Sequence, residues 1–92
     1  MIKSWKNKWL KELYETGKSA KINPQHKEVL RDLLFQLDNA VCPEDMDTPG
    51  NDFHSLKGNL KDFYSVAVRA NWKMIFKFEG RNAFLVNYLD YH

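Results

Sequence analysis

Residues 63–78 decide the fold of this chain, and they read FYSVAVRANWKMIFKF. Apolar and polar residues alternate in two runs, 63–69 and 71–78, and both runs are rich in aromatic and β-branched residues, which is typical of strands. Ala70 and Asn71 predict a tight turn between them, because asparagine tolerates positive φ. In the second strand, one face would carry Trp72, Met74, Phe76 and Phe78, and the other Lys73, Ile75 and Lys77.

The strand pattern continues to the end of the chain. Residues 80–82 (GRN) predict another turn, and residues 83–89 predict a third strand. Connections this short join antiparallel neighbours, so the three strands would form a meander. The last six residues read NYLDYH. Because alternate side chains of a strand share a face, Tyr88, Asp90 and His92 would point to one face and Tyr91 to the other.

Two amphipathic helices are predicted upstream of the strands. The first begins at about Ser4 and ends at Gly17, because glycine is a natural helix stop. The second begins at Asn23 and Pro24, with asparagine as the cap and proline in the first helical position, and ends at Cys42 and Pro43. The residues at helical spacing are Trp5, Trp9, Leu10 and Leu13 in the first helix, and Leu30, Leu33, Leu34, Leu37 and Val41 in the second. His26, in the first turn of the second helix, is expected to be exposed.

This order of elements predicts an α+β fold, with two N-terminal helices packed on one side of a small antiparallel β-sheet. A chain of 92 residues is expected to form a single domain, residues 1–92, with a modest core. A hydrophobic content of 43% argues against disorder. Residues 43–52 are acidic and rich in turn formers, and they predict a surface loop with one helical turn after Pro43.

The composition favours a cytoplasmic protein. No run approaches the roughly eighteen apolar residues of a membrane span, and the N-terminal MIKSWK lacks an apolar signal core. Cys42 is the single cysteine, which fits a reducing compartment. The net charge is only +2, but all of the excess lies in residues 51–92, which is weak evidence for an anionic partner.

The candidate chemistry is acid–base chemistry with basic support. The sequence has no Gly-rich phosphate loop, no Cys/His metal spacing and no nucleophile elbow. RNA cleavage needs a group that accepts the proton of the 2′-hydroxyl, a group that protonates the leaving 5′-oxygen, and cations beside the phosphate. It requires no metal and no cofactor. The residues that could serve are His54, Asp90 and His92 for proton transfer, Lys57, Arg69 and Lys73 for charge, and Tyr91 for stacking on a base. Each of them, taken alone, is more simply explained as an ordinary surface or turn residue.

Several motifs together resemble one protein family. They are HSLKG at residues 54–58, YSV at 64–66, VRANWKMIF at 68–76 and DYH at 90–92, and the chain opens with MIKSWK. The corresponding family patterns are H-P-L-K-G, W-S-I-x-V-x-x-N-W-R-I-x-F, a closing D-Y-H and an M-I-K-S-F-K opening. On these motifs the chain resembles the HigB toxins of bacterial type II toxin–antitoxin modules, within the RelE-like superfamily, over essentially its whole length.

The resemblance implies a RelE-like toxin fold and a ribosome-dependent mRNA endonuclease that stops translation by cutting mRNA in the ribosomal A site. The implied partners are the ribosome with its 16S rRNA, the mRNA, and a HigA-like helix-turn-helix antitoxin. Operator DNA would be bound only through the antitoxin, and no membrane is involved. No metal or other cofactor is implied.

The resemblance also implies roles for individual residues. The residues that match catalytic or activity-critical positions are His54, Asp90, Tyr91 and His92, and those that match RNA-contacting positions are Lys57 and the group around Asn71, namely Arg69 and Lys73. His92 or Asp90 would be the general base, and His54 or His92 the general acid. The chain departs from the family pattern at Ser55, which replaces a proline, at Tyr64, which replaces a tryptophan, and at Lys73, which replaces an arginine and gives up its planar fork.

Two other kinds of function fit the same residues. One is a non-catalytic RNA- or ribosome-binding module, which would generate no new RNA ends. The other is a transcriptional co-repressor that acts when bound to its antitoxin. The low net charge and the lack of a helix-turn-helix pattern argue against direct DNA binding by this chain alone.

Overall fold

Two helices precede a four-stranded antiparallel sheet, in a computed structural model that describes residues 1–90. The helices are α1 (Lys8–Thr16) and α2 (Lys27–Asn39). The strands are β1 (His54–Ser55), β2 (Phe63–Arg69), β3 (Trp72–Glu79) and β4 (Asn82–Asp90), and they lie side by side in that order. The predicted α+β fold and meander are confirmed, and β1 adds a short fourth strand.

Helix α1 begins later than its apolar pattern predicts. The side chain of Asn7 caps it by accepting from the backbone N–H of Trp9 and Leu10, at 2.9 and 3.0 Å. Gly17 ends it at a φ of +80°, as predicted. Residues 2–6 are extended because they lie beside β4, where the N–H of Lys3 donates to the carbonyl of Ala83 at 2.8 Å. The predicted start at Ser4 is therefore wrong, and Trp9 is 40% exposed.

Helix α2 supplies the largest part of the helical side of the core. Its four leucines at helical spacing are buried, namely Leu30, Leu33, Leu34 and Leu37. The predicted stripe fails at Val41, which is 47% exposed because the helix ends at Asn39. A 3₁₀ turn at Pro43–Met46 follows, which confirms the predicted helical turn. Within residues 1–90, neither helix is long and apolar enough to cross a membrane.

The sheet turns one face to the helices, and the register of its strands defines that face. Met74 and Phe76 are completely buried there, and Val66 on β2 lies opposite Met74. The outer face is less polar than predicted, because Ile75 is only 4% exposed. Ile75 lines a small outer pocket of about 160 Å³ together with Lys6, Leu60, Phe63, Leu85, Asn87 and Leu89. The turn between β2 and β3 uses positive φ at Ala70 (+52°).

Candidate active site

The first candidate groups lie on the outer face of the sheet, opposite the helices. His54 on β1 pairs with Ser65 on β2, and Ser65 pairs with Ile75 on β3. Directly paired residues share a face, as do residues two apart in a strand. Lys73 is two residues from Ile75, so it lies on the same face as His54.

Asp52 joins these two residues. Its Oδ1 lies 3.1 Å from Nε2 of His54, and its Oδ2 lies 3.4 Å from Nζ of Lys73. The hydrogen bond with Lys73, followed by the one with His54, holds the pKa of Asp52 below its ordinary range. The carboxylate is therefore ionised at neutral pH, and it forms a cluster with one imidazole and one ammonium group.

Asp52 is not among the site residues that the sequence predicts, because it ends an acidic loop that reads as solvated surface. The one available signal is that it lies only two residues before His54 in the chain. The buried Asn51 holds this segment in place through hydrogen bonds. Its side chain donates to the carbonyl of Met46 at 2.9 Å, and its own carbonyl accepts from the N–H of Ala67 at 2.7 Å.

The end of the β-meander brings further candidate residues together. Trp72, the first residue of β3, pairs with Arg69 on one side and with Asp90 on the other. Lys73 pairs with Leu89, which directly precedes Asp90. Arg69, Asn71 and Asp90 are all exposed. One end of the sheet therefore carries the predicted basic turn and the predicted acid.

Tyr88 shows what holds β4 in place at this end. It is 8% exposed, its hydroxyl contacts Nδ1 of His26, and its ring stacks on Trp72 with centroids 4.6 Å apart. Burial raises the pKa of Tyr88 to about 12. The prediction that His26 is exposed is wrong, because only 4% of it is accessible. Burial, and then the charge of Arg69, lowers the pKa of His26.

Lys57 lies three residues beyond His54 in the chain. It is exposed and stands just before the 3₁₀ turn Gly58–Leu60, where Gly58 has a φ of +67°. The N–H of Leu56 donates to the carbonyl of Phe63 at 2.9 Å, which continues the pairing of β1 with β2 up to Lys57. The lysine is thus carried on the edge of the sheet that presents His54.

A family model described as "RelE-like toxin of type II toxin-antitoxin system HigB" matches residues 3–92. This chain belongs to that family. It is 37% identical to "Endoribonuclease HigB" of Proteus vulgaris, over the full length of both proteins. It is also 37% identical to "Toxin HigB-1" of Vibrio cholerae serotype O1, over all of this chain and 98% of that protein. The resemblance seen in the sequence motifs is confirmed, and a type II module implies that a HigB-like toxin has an antitoxin partner.

In this HigB-like toxin, the structure brings together only part of the predicted site. His54 and Lys73 share one cluster, and Arg69 and Asp90 flank Trp72 at the neighbouring strand ends. Tyr91 and His92 lie outside the described residues. Among residues 1–90, no group of three or more His, Cys, Asp or Glu side chains could hold a metal ion.

Proposed function

We propose that this HigB-like toxin is an endoribonuclease that cuts mRNA held in the ribosomal A site, and that it does so by metal-independent acid–base chemistry. The enzyme class expected from the sequence is confirmed by family membership and by a relative named as an endoribonuclease. The ribosome, the A site and the absence of a metal requirement are the new parts of the proposal. The reaction would stop translation in the cytoplasm.

The proposed reaction uses the 2′-hydroxyl of the RNA as the nucleophile. His92 or Asp90 takes its proton as the 2′-oxygen bonds to phosphorus. The bond from phosphorus to the 5′-oxygen breaks, and His54 or His92 gives that oxygen a proton. The products are a 2′,3′-cyclic phosphate and a free 5′-hydroxyl.

The remaining predicted residues act on charge and position in this scheme. Lys57, Arg69 and Lys73 stabilise the negative charge that develops on the phosphate. Asn71 contacts the RNA, and Tyr91 stacks on an unpaired base.

One observation carries the site assignment. His54 and Lys73 lie on the same sheet face and share the Asp52 carboxylate, while Lys73 is paired with the residue next to Asp90. A proton donor and a cation therefore share the outer face of the sheet, and Asp90 ends β4, the strand next to Lys73, on the face of its partner Trp72.

The openness of the cluster supports the role of the ribosome. The side chains of His54 and Asp52 are 62% and 59% exposed, so they lie on a surface and do not enclose a strand of RNA. A net charge of +2 also provides little general attraction for a polyanion. Ribosomal RNA that holds the mRNA in place would supply the positioning that this surface lacks.

Cleavage assays on programmed ribosomes and on naked mRNA test the proposal. They compare the wild-type protein with His54→Ala, Asp90→Ala and His92→Ala. We expect ribosome-bound mRNA to be cut in the presence of a chelator, and each variant to be slower by about a hundredfold or more. Full cleavage without both His92 and Asp90 would show that the site is wrong. Rapid cleavage of naked mRNA would remove the ribosome from the mechanism. Binding without new RNA ends would favour the non-catalytic module.

Removal of the last three residues gives a second test. Without residues 90–92 we expect a folded domain that still binds its antitoxin and no longer cuts mRNA, because the helices and the rest of the sheet remain.

We further propose that the antitoxin is a HigA-like helix-turn-helix protein that carries the toxin to operator DNA. Gel shifts with the toxin alone and with the complex check this, and a shift by the toxin alone would contradict it.

A further inference from the structure

Asp52 stands between two side chains that the proposed reaction uses, and the backbone holds it there. Its φ is +49°, in the left-handed region that Asp and Asn tolerate better than most residues. The neighbouring Asn51 is only 8% exposed and is bonded to Met46, Gln36 and Ala67. The carboxylate is therefore placed by a buried anchor, although it is itself largely exposed.

The contact with Asp52 decides which nitrogen of His54 remains for the RNA. An ionised carboxylate can only accept hydrogen bonds, so Nε2 of His54 is the nitrogen that carries a proton towards it. Nδ1 is then the nitrogen left to meet the substrate. When the ring is doubly protonated, Nδ1–H can donate to the leaving 5′-oxygen while the Nε2 proton stays on the Asp52 side.

The contact with Lys73 is the looser of the two. Its 3.4 Å separation exceeds the roughly 2.7–2.9 Å of a strong charge-assisted hydrogen bond. The side chain of Lys73 is only 19% exposed, so its stem is held while its ammonium group reaches Asp52. A phosphate at this position would compete with Asp52 for the ammonium group.

We propose that Asp52 is a positioning residue for the cleavage reaction: it orients His54 with Nδ1 towards the RNA, and it holds Lys73 until the scissile phosphate replaces it. This role rests on the proposed function. Asp52 itself contacts neither the RNA nor the reacting atoms. Release of Lys73 would leave Asp52 as the counter-ion of the imidazolium form of His54 alone, at the moment when a general acid is required.

The surroundings of His54 allow a clean test of this charge. On the same face, the neighbouring strand β2 offers Ser65 and Ala67, neither of which carries a charge. The charged groups that reach it within residues 1–90 are Asp52 from the preceding loop and, through Asp52, Lys73 from β3. Asp52 is therefore the charged partner that fixes which nitrogen of His54 carries the proton.

Asp52→Asn is the informative variant, because asparagine keeps the shape and tolerates the positive φ. Glu79→Gln is the matched control, since Glu79 is a 59% exposed carboxylate that pairs with Lys77 at 3.1 Å, away from the cluster. The NMR shifts of the two ring nitrogens of His54, identified by their loss in His54→Ala, show which nitrogen carries the proton in the neutral ring. We expect the proton on Nε2 in the wild type and in Glu79→Gln, and a mixture of the two tautomers in Asp52→Asn, because an amide can donate as well as accept. An unchanged tautomer in Asp52→Asn overturns the proposal.

Kinetics on programmed ribosomes supply the second readout. We expect Asp52→Asn to lower kcat by about tenfold to a hundredfold, part of the effect of a well-placed acid or base. KM should not rise, because Lys73 is freed for the phosphate. When Asp52→Asn is added to His54→Ala, it should lower kcat by a much smaller factor, since Asp52 acts through His54. A higher KM with unchanged kcat, or an equal cost in both backgrounds, would refute the role. If wild-type protein does not cut on ribosomes, the proposed function itself fails, which is a distinguishable result.

Discussion

Replacing Tyr88 by phenylalanine should destabilise the protein through one hydrogen bond. The change removes the hydroxyl that contacts Nδ1 of His26 and keeps the ring that stacks on Trp72 at 4.6 Å. His26 and Tyr88 are 4% and 8% exposed, so water has little access to the nitrogen that loses its partner. The experiment therefore isolates a buried polar contact from the packing around it.

The expected cost follows from this burial. Loss of a hydrogen bond that leaves a buried group without a partner costs about 1–3 kcal/mol of the free energy of unfolding. In a domain of this size, each kcal/mol lowers Tm by roughly 4–8 °C. We therefore expect Tyr88→Phe to lower Tm by roughly 5–20 °C.

Urea unfolding followed by circular dichroism at pH 7.5 measures this cost. Tyr64→Phe is the control, because Tyr64 stacks on Phe53 and Phe76 and its hydroxyl has no hydrogen bond within residues 1–90. In a His26→Leu background, Tyr88→Phe should cost far less, since both polar partners are then gone. The reasoning is refuted if Tyr88→Phe costs no more than Tyr64→Phe, or the same amount in both backgrounds.

Three further predictions concern the helices and the pH response. Because burial lowers the pKa of His26 in the folded state, the unfolded chain binds an extra proton as pH falls below roughly 6.5. The free energy of unfolding should therefore fall as the solution is made more acidic, and it should fall less steeply in His26→Gln. Equal slopes of this free energy against pH in the two proteins, measured by urea unfolding, would contradict the prediction. Asn7→Ala should cost about 1 kcal/mol in the same unfolding assay, because it removes the cap of α1; a change near zero would show that the cap is not needed. Leu34→Ala should lower the free energy of unfolding by about 2–5 kcal/mol, because Leu34 is fully buried. Phe35→Ala, at a position 65% exposed, should change it little. Similar values for the two variants would contradict the observed orientation of α2.

The fold class could be predicted because it depends on local patterns. Alternation with period two is a property of residues that are adjacent in the chain, and it located the three long strands to within a residue at most ends. The start of α1 could not be read in this way. Residues 2–6 lie alongside β4 because they form hydrogen bonds to Ala83 and Val86, about eighty residues away. No local pattern encodes such pairing.

The same limit applies to two polar residues. His26 reads as a polar residue in a first helical turn, but it is buried because Tyr88, 62 residues further along, contacts it. Asp52 reads as part of an acidic loop, but the register of β2 and β3 brings it to Lys73, 21 residues away. Local composition predicts exposure on average, and long-range contacts decide it for each residue.

The two faces of the sheet give these two histidines opposite roles, and β4 connects them. On the helical face, His26 is buried against a phenol and serves to fix Tyr88. On the outer face, His54 is exposed beside a carboxylate and an ammonium group. Asp90 is only two residues beyond Tyr88, so the hydrogen bond on the helical face also places the acid at the end of the strand. Tyr88→Phe should consequently slow mRNA cleavage even at temperatures where the variant is fully folded, whereas Phe35→Ala, at an exposed position of the same helix that begins beside His26, should leave the rate unchanged.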